Sequence, residues 1–156
     1  MRAPAAELAK QRLEELISFF GVNANAHMSE SGDSIELEIE ADPSGRLIGY
    51  HGETLRALQY LVNIMVQQSG DRRRVYLDIA GYKKARAYSL EKQAREVADQ
   101  VIASNREIAL SPMNAAERRV VHLALRELGT VDSDSRGEEP KRYVVVLPKT
   151  SVDAQS

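Results

Sequence analysis

Between Ser34 and Ala41 the chain alternates Ile35, Leu37 and Ile39 with Glu36, Glu38 and Glu40 without a break. Successive side chains of a strand point to opposite faces, so the sheet that holds this segment has one face to bury and one to wet. A one-sided sheet must be covered on its apolar side by a second layer. The flanking sequence supplies helices for that layer. From Ala5 to Phe20, Leu8, Leu13, Leu16, Ile17 and Phe20 follow helical spacing, and Gly21 is placed to end the helix. From Glu53 to Gln68, Leu55, Leu58, Leu61, Val62 and Met65 repeat at i, i+3 and i+4, with Gly70 as the stop.

The segments between these elements complete a small unit. Val22 to Met28 reads as an extended segment, Ser29 to Asp33 as a turn, and the two strands as a hairpin. Asp42-Pro43-Ser44-Gly45 breaks the second strand, Arg46 to Gly49 fits one short helical turn, and Val75 to Ile79 reads as a third strand. The order helix, strand, strand, helix, helix, strand closes a three-stranded α/β unit over residues 1–80.

Gly81 marks a boundary, and residues 81–148 read as a second unit. Tyr82 to about Ser104 is a long, charge-rich helix. After the break at Leu110-Ser111-Pro112-Met113, Asn114 and Glu117 have capping-box spacing for a helix that ends at Gly129. Thr130 to Asp134 and Arg142 to Leu147 are expected to pair across Ser135 to Pro140, and the polar segment 149–156 reads as a disordered tail.

Composition narrows the chemistry. The 156 residues are 43% apolar and 28% charged, the balance of a soluble globular chain, and contain no cysteine and three histidines. Disulfides, thiol catalysis and thiolate metal sites are excluded, and no cofactor is expected. No run approaches the roughly eighteen apolar residues of a membrane span, and Met1 to Lys10 lacks the apolar core of a signal peptide, so no membrane insertion and a cytoplasmic location are expected. The net charge of −2 argues against wholesale polyanion coating. Between Asp71 and Arg95, however, eight basic residues face three acidic ones, which suits local contact with phosphates.

Arg46-Leu47-Ile48-Gly49-Tyr50-His51-Gly52 places two glycines three apart between helical segments. A backbone without Cβ atoms can approach a phosphodiester closely, and the amides opening the next helix point at an anion. A plain helical corner would explain the tetrapeptide alone; the hairpin and third strand around it favour the binding reading. At such a loop position Gly52 is expected to tolerate an added side chain. In the second unit, Arg118 and His122 lie four apart, on one helical face, where both can address a single partner. A surface arginine and a half-buried core histidine are the bland alternative.

Residues 46–65, RLIGYHGETLRALQYLVNIM, resemble the KH domain of the bacterial Jag family, also called KhpB. VYLDIAGYKKAR at 75–86, LSPMNAAERRVVHLAL at 110–125 and GEEPKRYVVVLP at 137–148 resemble the junction and second domain of the same family, in the same order. That domain is the R-three-H type, named for an Arg and a His separated by three residues, here Arg118 and His122. The resemblance implies an α/β (α+β) chain, a type II KH domain followed by a small R-three-H domain, in a short form without the N-terminal Jag domain. It implies a cytoplasmic, non-catalytic binder of single-stranded RNA, with single-stranded DNA as the alternative strand. It also implies a post-transcriptional regulator of envelope or division physiology, and a small KH-only protein as partner. The residues it assigns to RNA are Arg46, Ile48, Gly49, Tyr50, His51, Gly52, Arg118, His122 and Arg142. The loop pair Tyr50-His51 stands where many members offer Lys or Arg; Tyr50 brings a stacking ring and His51 a pH-dependent donor.

Two other readings compete. A phosphodiesterase would use His27, His51 or His122 as general base, but no spacing supplies its acid partner or a metal-holding carboxylate cluster. An adaptor that keeps the KH fold and has lost RNA binding fits the mild acidity and the uncharged loop pair; affinity that falls steeply with salt separates a binder from it.

Overall fold

The computed structural model describes residues 4–150 of a chain that divides into two compact units after Lys83. The first unit runs α1 (Ala5–Ser18), β1 (Asn23–Ser31), β2 (Ser34–Asp42), α2 (Gly45–Ile48), a 3-10 turn (Tyr50–Gly52), α3 (Glu53–Gln68) and β3 (Arg74–Ile79). Its sheet has the order β1-β2-β3, with β1 antiparallel and β3 parallel to the central β2. Ile35, Leu37 and Ile39 are buried against Ala6, Ala9, Leu13 and Ile17 of α1 and Leu55, Leu58, Val62 and Val66 of α3, while Glu36, Glu38 and Glu40 are exposed. The alternation thus decides which face the helices cover. Each large aliphatic side chain so buried contributes about 1.5–3 kcal/mol.

The hairpin is tighter than its polar sequence suggests. β1 extends to Ser31, which pairs with Ser34, so the turn is only Gly32-Asp33, where a turn over Ser29 to Asp33 was expected. Ladder hydrogen bonds to β2 hold Ser29, Glu30 and Ser31 extended despite their weak strand propensity. Arg73 then ties the start of β3 to the hairpin, donating to Glu30 at 2.6 Å and to Asp71 at 2.9 Å.

Helix α4 (Tyr82–Ser104) begins at the end of the first unit and runs through the second, followed by β4 (Ile108–Ala109), α5 (Ala115–Leu128), β5 (Val131–Arg136) and β6 (Tyr143–Pro148). The capping box is formed: Asn114 Oδ1 accepts from Glu117 N at 2.9 Å, and Glu117 Oε2 accepts from Asn114 N at 3.1 Å. The other Glu117 oxygen accepts from Arg86 Nε at 3.0 Å, which joins α5 to α4. Gly129 closes α5 in the left-handed region at φ 67°. β4, absent from the sequence reading because two residues show no period, completes a sheet of order β4-β6-β5. That addition makes β6 central, and Val144, Val145 and Val146 are all buried. β5 extends to Arg136, so Arg142 precedes β6 and lies outside it. Of the tail 149–156, residues 151–156 lie outside the described residues.

Candidate nucleic-acid interface

In the first unit the chain leaves α2 through Gly49 at φ 71° and enters α3 through Gly52 at φ 79°, both in the left-handed region. A Cβ at Gly49 would strike the Thr54 hydroxyl and lie 2.8 Å from Thr54 Cβ, so the turn requires glycine. A Cβ at Gly52 would lie 2.8 Å from Cε1 of Tyr82, which together with its φ overturns the expectation that this position tolerates a side chain. His51 is also left-handed, at φ 48°, and Arg56 Nη1 donates to its carbonyl at 3.0 Å. The rings of Tyr50 and His51 stack with centroids 4.0 Å apart at 21°, and Tyr50 is 70% exposed. This pair offers a stacked aromatic surface at the tip of the loop.

Of the predicted residues in this unit, the structure groups Gly49, Tyr50, His51 and Gly52. Exposed Arg46 turns toward the end of α1, where Nη1 donates to Phe20 O at 3.4 Å, and Ile48 packs half-buried against the core. Beside the loop helix, a groove of about 500 Å³ lies between the outward face of α3 (Arg56, Gln59, Tyr60, Asn63, Ile64, Gln67) and Arg74 and Tyr76 of β3. Tyr60 is 67% and Tyr76 45% exposed. The apolar repeat of α3 does not reveal this face, although its residues recur at helical spacing; of that repeat Leu55, Leu58 and Val62 are buried and Leu61 is exposed.

The groove floor is polar, and two carboxamides on it bond the neighbouring strand. Asn63 Nδ2 donates to Val75 O at 2.8 Å, and its Oδ1 accepts from Val75 N at 2.8 Å. Gln59 Oε1 accepts from Leu77 N at 2.9 Å and from Lys83 Nζ at 3.2 Å. Burial lowers the Lys83 ammonium below the ordinary lysine range, against the opposing pull of Asp78. The two carboxamides satisfy the outer edge of β3, which would otherwise be open to pairing.

In the second unit the sequence pair does not converge on one partner. Arg118, expected at the surface, is 8% exposed: Nη1 donates to Met113 O at 2.7 Å and Nη2 to Glu139 Oε1 at 2.6 Å. Half-buried His122 is held between two hydroxyls, Nδ1 to Ser133 Oγ at 2.6 Å and Nε2 to Ser135 Oγ at 2.7 Å. Burial lowers its pKa, Asp134 opposes that shift, and Arg118 and Arg126 add to it. Arg142 is half-buried, its Nε without a hydrogen-bond partner among the described residues, and its carbonyl accepts from Met113 N at 3.1 Å. Met113 therefore links the backbone of Arg142 to the guanidinium of Arg118. Arg119 and Arg126 are the exposed cations of this helix.

Both units match known domain families. Residues 6–79 match the KH domain of KhpA/KhpB, and residues 89–148 match the R-three-H domain. The chain belongs to the Jag/KhpB family. Among its Jag/KhpB relatives, the RNA-binding protein KhpB of Clostridium symbiosum is 38% identical over 129 residues, 82% of this chain and 58% of that protein. The RNA-binding protein KhpB of Streptococcus pneumoniae is 33% identical over 135 residues, 86% of this chain and 41% of its own length. That of Lactiplantibacillus plantarum is 31% identical over 158 residues, 93% and 49% respectively. This Jag/KhpB chain thus spans about half the length of these relatives. No helix among the described residues is long and apolar enough to cross a membrane.

Proposed function

We propose that the chain binds single-stranded RNA and has no catalytic activity of its own. The observation that carries this is the Gly49–Gly52 loop, where a side chain is excluded at Gly49, beside a groove edged by Arg56, Arg74, Tyr60 and Tyr76. The loop lets a phosphate approach the backbone, the guanidinia neutralise its neighbours, and exposed tyrosine rings stack bases without reading their identity. Exposed Glu36, Glu38 and Glu40 repel the same strand from the sheet face. Arg46 and Ile48 flank the loop, and Arg118, His122 and Arg142 are the contacts of the second unit. The names of the relatives support RNA as the ligand. An oligodeoxyuridylate differs from the oligouridylate only by the 2′-hydroxyl, so competition between the two strands decides whether that group is read.

Anisotropy titration of a labelled oligouridylate tests this reading. Tyr60→Ala and Tyr76→Ala should each weaken binding about tenfold while circular dichroism is unchanged, because one stacked base is worth about 1–3 kcal/mol. Affinity should fall steeply with salt. Wild-type protein without measurable affinity would leave the adaptor reading in its place. On the binding reading the chain acts in the cytoplasm as a post-transcriptional regulator of envelope or division functions. A small KH-only protein is the partner to seek by co-purification.

A further inference from the structure

The ion pair between Arg118 and Glu139 is unequal in a way that a purely structural pair need not be. The arginine side chain is 9% exposed and that of the glutamate 58%. Arg118 is fixed without its partner's help, because Nη1 is held by the carbonyl of Met113 at 2.7 Å and α5 fixes its backbone. Glu139 sits on the connection between β5 and β6, and Arg118 is its one ion-pair partner among the described residues. A buried guanidinium needs an anion at all times, since removing its counter-charge leaves a desolvated charge. A half-exposed carboxylate can turn into water at small cost. Carboxylate and phosphate present the same pair of acceptor oxygens to a guanidinium fork.

We propose that Glu139 is an internal stand-in for phosphate: it fills the Arg118 anion position in the free protein and is displaced by a backbone phosphate of bound RNA. The idea rests on the reading of the chain as an RNA binder. Binding at this position is then an exchange of anions, and the apparent affinity is reduced by the fraction of time Glu139 holds the guanidinium. The arrangement keeps the buried charge compensated in both states and sets a threshold against weak or non-phosphate anions. Glu138, the preceding residue, forms no ion pair with Arg118 among the described residues and provides the control for charge alone.

Three full-length variants, Glu139→Gln, Glu139→Asp and Glu138→Gln, are compared with wild type by anisotropy with a labelled oligouridylate of about twelve nucleotides, and by thermal melts with and without it. Glu139→Gln should melt lower than wild type without RNA, bind about two- to fivefold more tightly, and recover most of the lost melting temperature at saturating RNA. Opposite signs for stability and affinity are the signature, because the substitution disfavours only the free state. Glu139→Asp, with a shorter arm and the same charge, should fall between, and it serves if the glutamine variant does not fold. Equal tightening by Glu138→Gln would reduce the effect to the general field and overturn the proposal. So would unchanged or weaker binding by folded Glu139 variants. If wild type binds no RNA, the functional reading fails and this proposal with it; if wild type binds and the variants do not differ, only the proposal fails.

Discussion

At the scale of single residues, the same amino acid has different standing in different places. Gly49 is irreplaceable because φ is positive and Thr54 fills the space where a Cβ would go, whereas a Cβ on Gly32 in the hairpin turn would meet nothing within 4 Å. Both are simply glycines in the sequence. His122 likewise reads as a lone histidine until Ser133 and Ser135 close on its two ring nitrogens. Burial lowers its pKa in the folded protein. As the pH falls below the ordinary value of about 6.5, the unfolded chain takes up the proton first, so stability drops until the pH passes the lowered folded pKa. We expect an NMR titration of the His122 ring with its midpoint below about 6.5, and a melting temperature that declines between about pH 7 and pH 5. His122→Gln should flatten that decline. A midpoint at or above the ordinary value would contradict the burial of the ring.

Elements were the most legible level, and their failures have physical causes. α3 at Glu53–Gln68 is legible from its apolar repeat, and α5 from the capping spacing of Asn114 and Glu117. The end of β1 was lost because Ser29, Glu30 and Ser31 are strand only through their partners on β2. β4 was lost because a two-residue strand exists only as a pairing with β6. The edge of β3 was invisible for a similar reason: Asn63 is ordinary polar helix surface until it grips both backbone groups of Val75. Asn63→Leu leaves those groups unpaired and should destabilise the protein by about 2–3 kcal/mol. Hydrogen exchange should show the Val75 amide losing protection more than that of Ile35. An opened strand edge should also raise the tendency to aggregate. A melting temperature within a degree of wild type would mean that water replaces the carboxamide without loss.

For the whole molecule, the question is whether two units on one chain act on one strand. Tethering makes the second contact intramolecular, so affinity rises once a strand is long enough to reach both sites. An oligouridylate of about four nucleotides, the length held by one KH groove, should bind at least about tenfold more weakly than one of about twenty. The longer ligand should also show the steeper salt dependence, because more phosphates are neutralised. Equal affinities at matched salt would assign binding to a single unit. The net charge of −2 makes this a fair comparison, since non-specific capture by a basic surface is weak.

The sequence by itself determined the layers and the order of the elements apart from the two-residue β4. Alternation at Ile35, Leu37 and Ile39 and the helical stripe at Leu55, Leu58 and Val62 are local patterns that period finds, although Leu61 of the same set is exposed and Met65 only half-buried. It also marked the Gly49–Gly52 loop, because glycine spacing survives without coordinates. The tertiary structure decided what the polar residues do. Gln59 and Asn63 became edge caps, Arg56 a brace on the His51 carbonyl, and Arg118 a buried charge shared by Met113 and Glu139. Apolar side chains need only a common face, which a period encodes. A hydrogen bond or ion pair needs two atoms within about 3 Å at a set angle, and Arg118 and Glu139 are 21 residues apart in sequence. Only the folded chain brings such atoms together.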